Sequence, residues 1–374
     1  MNRLERMRAR MEQDGWKDFY VRDISSVKWL TGFEGVFDSE AAHLAFVTPN
    51  SAILHTDSRY SDAAVAAAEG TDWTVDDTRA THAKWVADAF AAHHEQAGTQ
   101  PGRGICGFAI EDSLSIKEYR ALESAFAEKA WSPRLVETDQ VVVKLRACKD
   151  EAEIERLRAA QAITDAAFEH IIGFMREGMT EREVQFELEQ TMRKMGAEDL
   201  AFSSIIASGA NGASPHSIPG DKRLEAGDLV VMDFGAKAKG YCSDMTRTVA
   251  IGYVSDEAKA VVDAVREANE TVEAMLKPGV TGKAAHELAE YVLAQHGFAG
   301  KMGHGLGHGV GIDIHELPVL SPRNEAPLEV GNVVTVEPGV YLSGKMGCRL
   351  EDFGIITPDG FEVFTQSTHE LVII

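Results

Sequence analysis

The chain has 374 residues, 44% of them hydrophobic, which is enough for two or three folding units with cores of their own. Its 59 acidic residues outnumber its 37 basic ones, and the formal net charge of −22 repels nucleic acid phosphates and anionic lipid. We find no secretion signal and no apolar run of membrane-spanning length, which predicts a soluble, cytoplasmic protein. The four cysteines, Cys106, Cys148, Cys242 and Cys348, lie far apart without a CxxC pair, which favours reduced thiols and any metal site of N and O donors.

The first part of the chain alternates between short β-rich runs and helical patterns. The β-rich runs lie at 19–21, 44–48, 52–56 and 105–111, and the helical patterns at 59–69, 82–96 and 115–127. This alternation predicts a smaller α/β domain over residues 1–138. Since it has no paired carboxylates, no histidine cluster and no phosphate-binding loop, we expect it to shape a site rather than catalyse. His93 and His94 are predicted to be solvated or dipole-stabilising near a helix end.

A second domain is predicted over residues 139–374, beginning with a long amphipathic helix. Asp150 can cap this helix, because a glutamate, Glu153, occupies its third position. Apolar residues then follow at helical spacing, namely Ile154, Leu157, Ala160, Ile163, Ala167 and Ile171.

The second domain contains an internal repeat. LEAGDLVVMDFG at 224–235 matches LEVGNVVTVEPG at 328–339 in its leucine, glutamate, glycine and valine positions. A weaker match joins the helical segments 178–196 and 279–297, which share a Gly-x-Thr start and a glycine stop. The pattern predicts two related halves, each with a helix, a strand and a hairpin.

The repeat places two carboxylates in each half. Asp233 in the first copy corresponds to Glu337 in the second, and each is followed by a returning β-rich segment with another acid, Asp244 or Glu351. Across a hairpin, such spacings bring both acids of a pair to one end of neighbouring strands. Four clustered carboxylates cannot all stay ionised without raised pKa values or bound cations. Oxygen donors with imidazole favour Mn²⁺, Fe²⁺, Co²⁺ or Zn²⁺, and two such ions would neutralise the cluster.

A histidine-rich segment separates the two carboxylate pairs. GHGLGHGVGIDIHELP, at 303–318, contains His304, His308 and His315 among glycines that allow close approach of a ligand. His216, in the loop SGANGASPHSIPGD, faces either the same cleft or solvent. His170 and His286 fall within helical patterns and are predicted to be structural.

These residues resemble a known family. The contexts MDFG, CSDMTRT, GHGVG, VEPG and RLEDFG resemble the five metal-ligand motifs of the pita-bread metallopeptidases, which include methionine aminopeptidase, prolidase and aminopeptidase P. LTGFEG at 31–36 and TDSRY at 56–60 resemble the creatinase/prolidase N-terminal domain, and this front domain favours the proline-specific branch. The resemblance implies an α+β fold, with a duplicated pita-bread catalytic domain behind a smaller α/β domain.

The resemblance also implies a dinuclear metal site. Its five ligands are Asp233, Asp244, His308, Glu337 and Glu351, which would hold two divalent ions, with manganese expected first and cobalt, iron or zinc as alternatives. A water or hydroxide bridging the ions would attack the scissile carbonyl, and Glu337 would carry the proton. His216 and His315 would hydrogen-bond the peptide and its tetrahedral intermediate, His304 would assist near the leaving proline, and Arg349 would orient the ligands.

The implied activity is that of an Xaa-Pro aminopeptidase, which removes the residue before a proline at the second position of a peptide. The alternative is prolidase, which cleaves only Xaa-Pro dipeptides and needs a group that caps the substrate carboxylate. A different class of alternative is a metal-free pita-bread binding protein or a creatinase-like C–N hydrolase, whose relatives lose metal ligands. The resemblance further implies a homodimer.

Overall fold

The structure is a computed structural model that describes residues 1–38, 40, 42–99 and 103–374, without the side chains of 103–106. The chain divides into two compact units, Met1–Arg146 and Ala147–Ile374, here called unit 1 and unit 2. This division falls inside the last helical turn of α6 (Val141–Ala147), which begins shortly after the boundary that we propose at 138/139. None of the helices in the described ranges is long and apolar enough to cross a membrane.

Unit 1 is built on a mixed sheet. Among its described residues, six strands lie in the order β4-β3-β2-β1-β5-β6, where β1 pairs antiparallel with β2 and parallel with β5. The strands are β1 (Asp18–Val21), β2 (Leu44–Val47), β3 (Ala52–His55), β4 (Thr74–Asp76), β5 (Arg103–Glu111) and β6 (Ser132–Thr138). The helices before α6 are α1 (Arg3–Asp14), α2 (Ile24–Thr31), α3 (Ser61–Ala68), α4 (His82–Gln96) and α5 (Ile116–Glu128). The predicted strands and helices of this α/β domain are thus confirmed.

The core of unit 1 is aromatic, and it changes the interpretation of His94. Phe90 and Trp131 are buried in this core, and the His94 ring lies 4.2 Å from the Phe90 ring, centroid to centroid. His94 is 5% exposed, and its Nε2 lies 2.8 Å from Oδ2 of the buried Asp18. The prediction that His94 is solvated was wrong, because its partner acid is distant in the sequence and no local pattern reveals it. His94 does lie in the last turn of α4, where the predicted interaction with the helix dipole is possible.

Unit 2 begins with the predicted long helix, α7 (Glu151–Phe174). Asp150 accepts a hydrogen bond from the Glu153 backbone, and the Glu153 side chain accepts one from the Asp150 backbone, which forms the expected capping box. Leu157 and Ile171 are buried on the predicted apolar face.

The remaining elements of unit 2 show the repeated organisation. The helices are α8 (Glu181–Lys194), α9 (Asp256–Met275) and α10 (Gly282–Gln295), with a 3₁₀ turn at Gly209–Ala213. The strands are β7 (Asp199–Leu200), β8 (Ile205–Ser208), β9 (Leu229–Phe234), β10 (Ala236–Ala238), β11 (Tyr241–Cys242), β12 (Met245–Ala250), β13 (Gly307–Gly309), β14 (Glu316–Leu320), β15 (Val333–Val336), β16 (Gly339–Leu342), β17 (Met346–Arg349), β18 (Asp352–Thr357) and β19 (Gly360–Val363). Strands β9 and β12 pair antiparallel in the first half, and β15 and β18 do so in the second.

The two halves also share their helix starts. Gly178 N donates to Leu224 O before α8, and Gly279 N donates to Leu328 O before α10. In each half, a short hairpin lies between the two strands of the antiparallel pair. It is β10–β11 between β9 and β12, and β16–β17 between β15 and β18. The sequence pattern predicted the outer strand pairs but not these inserted hairpins.

Candidate metal centre and active site

The residues predicted for the site line a single cavity of about 410 Å³, all of it within unit 2. These residues are His216, Asp233, Asp244, His304, His308, His315, Glu337, Arg349 and Glu351. The cavity also has an apolar lining, formed by Phe202, Ile205, Pro215 and Ile314. The cavity therefore combines acids and imidazoles with an apolar surface, the combination typical of a small-ligand site.

The antiparallel pairs bring the carboxylates together. Asp233 lies in β9 opposite Thr246, and Asp244 directly precedes β12. Glu337 follows β15, and Glu351 directly precedes β18. The Glu351 backbone N–H donates to Thr246 O over 3.1 Å, so the acid-bearing ends of both halves meet.

His308 is held with one ring nitrogen directed to the acids. Its Nδ1 lies 3.0 Å from Gly309 O, and this contact requires a proton on Nδ1. Its Nε2 then carries a lone pair, and it lies 3.5 Å from both Asp244 Oδ2 and Glu337 Oε1. Burial lowers the pKa of His308 to about 4, so the imidazole is neutral near pH 7 and ready to bind a metal ion.

The acids have the charge and burial of a cation site. One ligand atom from each of Asp244, His308 and Glu351 lies within 4.8 Å of the others. Burial, followed by the charges of neighbouring carboxylates, raises the pKa of Asp244 and of Glu351 well above their ordinary values. Asp233 Oδ1 is buried without a hydrogen-bond partner among the described residues. Divalent ions would satisfy this unpaired oxygen and remove the repulsion, so the donor set fits such ions.

Arg349 links the two halves of the acid cluster and is 3% exposed. Its Nη2 donates to Asp233 Oδ2 over 2.5 Å, and its Nε donates to Thr246 Oγ1 over 2.9 Å. The Thr246 hydroxyl in turn donates to Glu351 Oε2 over 2.7 Å. One guanidinium thus orients a carboxylate from each half, one directly and one through the Thr246 hydroxyl.

Tyr341 contacts two of the residues that line the cavity, and the sequence did not point to it. Its hydroxyl accepts from Arg349 Nη1 over 2.8 Å and lies 3.0 Å from His304 Nε2. Since His304 Nδ1 donates to Gly305 O over 2.7 Å, its Nε2 accepts a hydrogen bond from the tyrosine hydroxyl. A Cβ on Gly339 would lie 2.6 Å from the tyrosine oxygen, so a glycine is needed there. The only sequence signal was the position of Tyr341 four residues after Glu337.

The other two histidines reach the cavity from separate loops. His216 follows the 3₁₀ turn at Gly209–Ala213, and His315 directly precedes β14. The His315 ring lies 4.4 Å from the His308 ring, centroid to centroid. His216 borders the cleft and is also exposed to solvent, so it meets both of the places left open for it.

Comparisons with known proteins show which family the chain belongs to. Residues 155–358 match the model of metallopeptidase family M24, and residues 3–148 match that of the creatinase/prolidase N-terminal domain. The chain is 39% identical over 269 residues to an Xaa-Pro dipeptidase of Pyrococcus horikoshii, covering 72% of this chain and 76% of that protein.

Solved structures with the same fold include enzymes of both proline-specific types. An Xaa-Pro dipeptidase from Bacillus anthracis is 36% identical, with a TM-score of 0.88 and coverage of 100% of this chain and 99% of that one. An X-Pro aminopeptidase from Thermotoga maritima is 35% identical, with a TM-score of 0.84 and full coverage of both chains. The chain belongs to metallopeptidase family M24, with a creatinase-type N-terminal domain and a pita-bread catalytic domain. The predicted family and fold are confirmed, and the family uses divalent metal ions.

Proposed function

We propose that this protein is an Xaa-Pro aminopeptidase, a hydrolase that removes the residue before a proline at the second position of a peptide. The observation that carries the proposal is the group formed by two buried acids, Asp244 and Glu351, and the half-buried His308. Their ligand atoms lie within 4.8 Å of one another in a cavity that also has apolar walls. The names of the relatives support the substrate class, because they are enzymes of Xaa-Pro bonds.

The ions would be held by Asp233, Asp244, His308, Glu337 and Glu351, with manganese as the first candidate among divalent ions. When bound, two such ions supply an acidified water and polarise the scissile carbonyl. Arg349 would orient Asp233 directly and Glu351 through the Thr246 hydroxyl.

Glu337 is the proposed proton carrier. Its Oε1 accepts a hydrogen bond from the Thr335 hydroxyl over 3.3 Å, and burial raises its pKa to about 8. Cations lower that pKa, because opposite charge favours the carboxylate, and the group is then ready to accept a proton. A carboxyl tuned in this way can take a proton from water and pass it to the leaving nitrogen of proline.

The histidines complete the proposed machinery. His216 and His315 border the same cavity as the acids, where an imidazole N–H can donate to the peptide and to the oxyanion of its tetrahedral intermediate. His304 Nε2 accepts a hydrogen bond from the Tyr341 hydroxyl, which fixes the imidazole ring. We propose that His304 assists near the leaving proline.

The cavity favours an aminopeptidase over a dipeptidase. A dipeptidase must bind the free carboxylate of the proline residue, for which a cation is the ordinary partner. Among the described residues that line the cavity, Arg349 is the only lysine or arginine, and its guanidinium already serves Asp233, Thr246 and Tyr341. The lining therefore leaves histidines but no further arginine or lysine for a substrate carboxylate, whereas a longer peptide carries its carboxylate beyond the proline.

Substrate length tests the proposal directly. We expect Ala-Pro-Ala-Ala to be cleaved with a kcat/KM at least about tenfold above that of Ala-Pro, because the longer peptide adds contacts and removes an unpaired carboxylate. Release of the N-terminal alanine would be followed by chromatography with divalent manganese present. Ala-Ala-Ala-Ala controls for the proline, and the N-acetylated peptide controls for the free amino terminus. Faster cleavage of Ala-Pro would assign the protein to the prolidases instead.

A further inference from the structure

A buried glutamate, Glu181, anchors the loop that carries His216. Glu181 is fully buried, and its Oε1 accepts hydrogen bonds from Ser208 N and Oγ, both over 2.8 Å, and from Asn211 Nδ2 over 3.0 Å. Its Oε2 accepts from Gly220 N over 3.1 Å. One carboxylate thus joins the residues that precede His216 to those that follow it.

The same helix start binds the loop through its backbone. Glu181 N donates to Lys222 O over 3.0 Å, and Arg182 N donates to Gly220 O over 3.1 Å, which satisfies two of the free amides at the start of α8. Lys222 Nζ donates to Ser208 Oγ over 3.0 Å, so the serine hydroxyl accepts this bond while it donates to Glu181. The groups that contact the two oxygens of Glu181 are thus all hydrogen-bond donors. A glutamine at this position would have only one oxygen to accept from them.

The second half of the repeat lacks this acid. Gly282 occupies the place of Glu181 at the start of α10, and a Cβ there would lie 2.3 Å from Val319 O. The polar side chain comes from Asn324 instead, whose Nδ2 donates to the same carbonyl over 2.7 Å. A charged anchor at the helix start is thus a feature of the first half, whose loop brings His216 to the cavity. The second half brings His304, His308 and His315 to the same cavity without such an anchor.

We propose that Glu181 is a positioning residue that fixes His216 for its contact with the peptide substrate. The proposal rests on the function proposed above, in which His216 donates to the peptide. Glu181 itself does not line the cavity and acts through the loop between Ser208 and Gly220.

A double-mutant cycle tests the proposal. We expect Glu181→Gln to lower kcat/KM for Ala-Pro-Ala-Ala by about 10- to 100-fold, because small displacements of a catalytic group are costly. In a His216→Ala background the same change should cost less than about twofold, since the positioned group is already gone. If the two losses multiply instead, Glu181 supports the enzyme only in a general way and the proposal is overturned.

Glu183→Gln is the matched control. Glu183 lies in the same helical turn, is exposed and forms the capping box of α8 with Thr180, so its loss weakens the helix start without touching the loop. Its activity should stay within about twofold of the wild type, because an exposed cap contributes only to stability. Ser208→Ala, which removes one donor and keeps the carboxylate, should show a smaller loss that also vanishes without His216.

Hydrogen exchange separates this proposal from the proposed function. Amides of residues 208–220 should exchange faster in Glu181→Gln than in the wild type or in Glu183→Gln, whatever the substrate of the enzyme. Unchanged exchange in that segment would overturn the anchoring role. If the wild type cleaves no Xaa-Pro peptide while Glu181→Gln shows the expected faster exchange, the proposed function is overturned and the anchoring role is established.

Discussion

Replacing Glu337 with glutamine is expected to lower kcat by about 10²- to 10⁴-fold, the usual contribution of a group that carries a proton in the rate-limiting step. Glutamine keeps the size of the side chain, so the packing beside Thr335 is retained, but it cannot accept the proton. The substitution also removes one of the proposed metal ligands. The measurement is hydrolysis of Ala-Pro-Ala-Ala under saturating divalent metal, so that weaker metal binding does not limit the rate.

The fold of this variant should remain intact. Glu337 is one of several repelling carboxylates, and the loss of one buried charge relieves repulsion in the metal-free protein. Circular dichroism and the unfolding midpoint of the metal-free variant should match or exceed those of the wild type. Glu325→Gln, which removes an exposed partner of Lys283, is the control for activity. Turnover of the Glu337 variant at the control rate would contradict its assigned role.

The metal-free protein should lose stability as the pH rises from about 6.5 to 8.5. Asp244, Glu351 and Glu337 have raised pKa values in the folded chain, the last about 8, whereas unfolded acids ionise near pH 4. The folded state therefore holds more protons than the unfolded state over this window, and the free energy of unfolding falls as pH rises. His304 and His308 have lowered pKa values of about 4 and act in the opposite direction, but only below the ordinary histidine value. We expect the unfolding midpoint to fall by roughly 5 to 10 °C, which corresponds to a few kcal/mol.

Added metal should reverse this loss. An ion at about 100 times its dissociation constant stabilises the folded state by about 2.7 kcal/mol, and it does so most at high pH, where no protons compete for the ligands. Asp244→Asn is the matched variant, because it removes one acid whose pKa is raised well above its ordinary value and should reduce the pH dependence of the metal-free protein. The unfolding midpoint would be measured by calorimetry on chelator-treated protein, with and without added metal. A flat or rising stability over the window in the wild type would mean that these acids do not repel.

The catalytic scaffold could be predicted because the sequence carries it twice. The match between 224–235 and 328–339 placed Asp233 and Glu337 at equivalent ends of two strands, and the structure has them on equivalent antiparallel pairs. Capping was equally local, since Asp150 and Glu153 lie within one helical turn. Signals of this kind depend on short spacing or on repetition, and both are visible in one sequence.

Contacts between distant segments could not be predicted in this way. Tyr341 meets His304 and Arg349 only because the inserted β16–β17 hairpin folds back, with no period to mark it. Glu181 binds a loop more than twenty residues further along the chain. In the sequence, Glu181 is recognisable only as an acid at the start of a helix, which is a common feature of helices. The pairing of His94 with a buried acid was hidden for the same reason.

An anomalous-scattering map of a crystal grown with manganese tests the central claim most directly. We expect two peaks in the cavity, one against Asp233 and one against His308, with Asp244 and Glu351 in contact with both. A cavity without anomalous density at saturating metal, or with density only outside these side chains, would contradict a dinuclear metallopeptidase and favour a metal-free member of the fold.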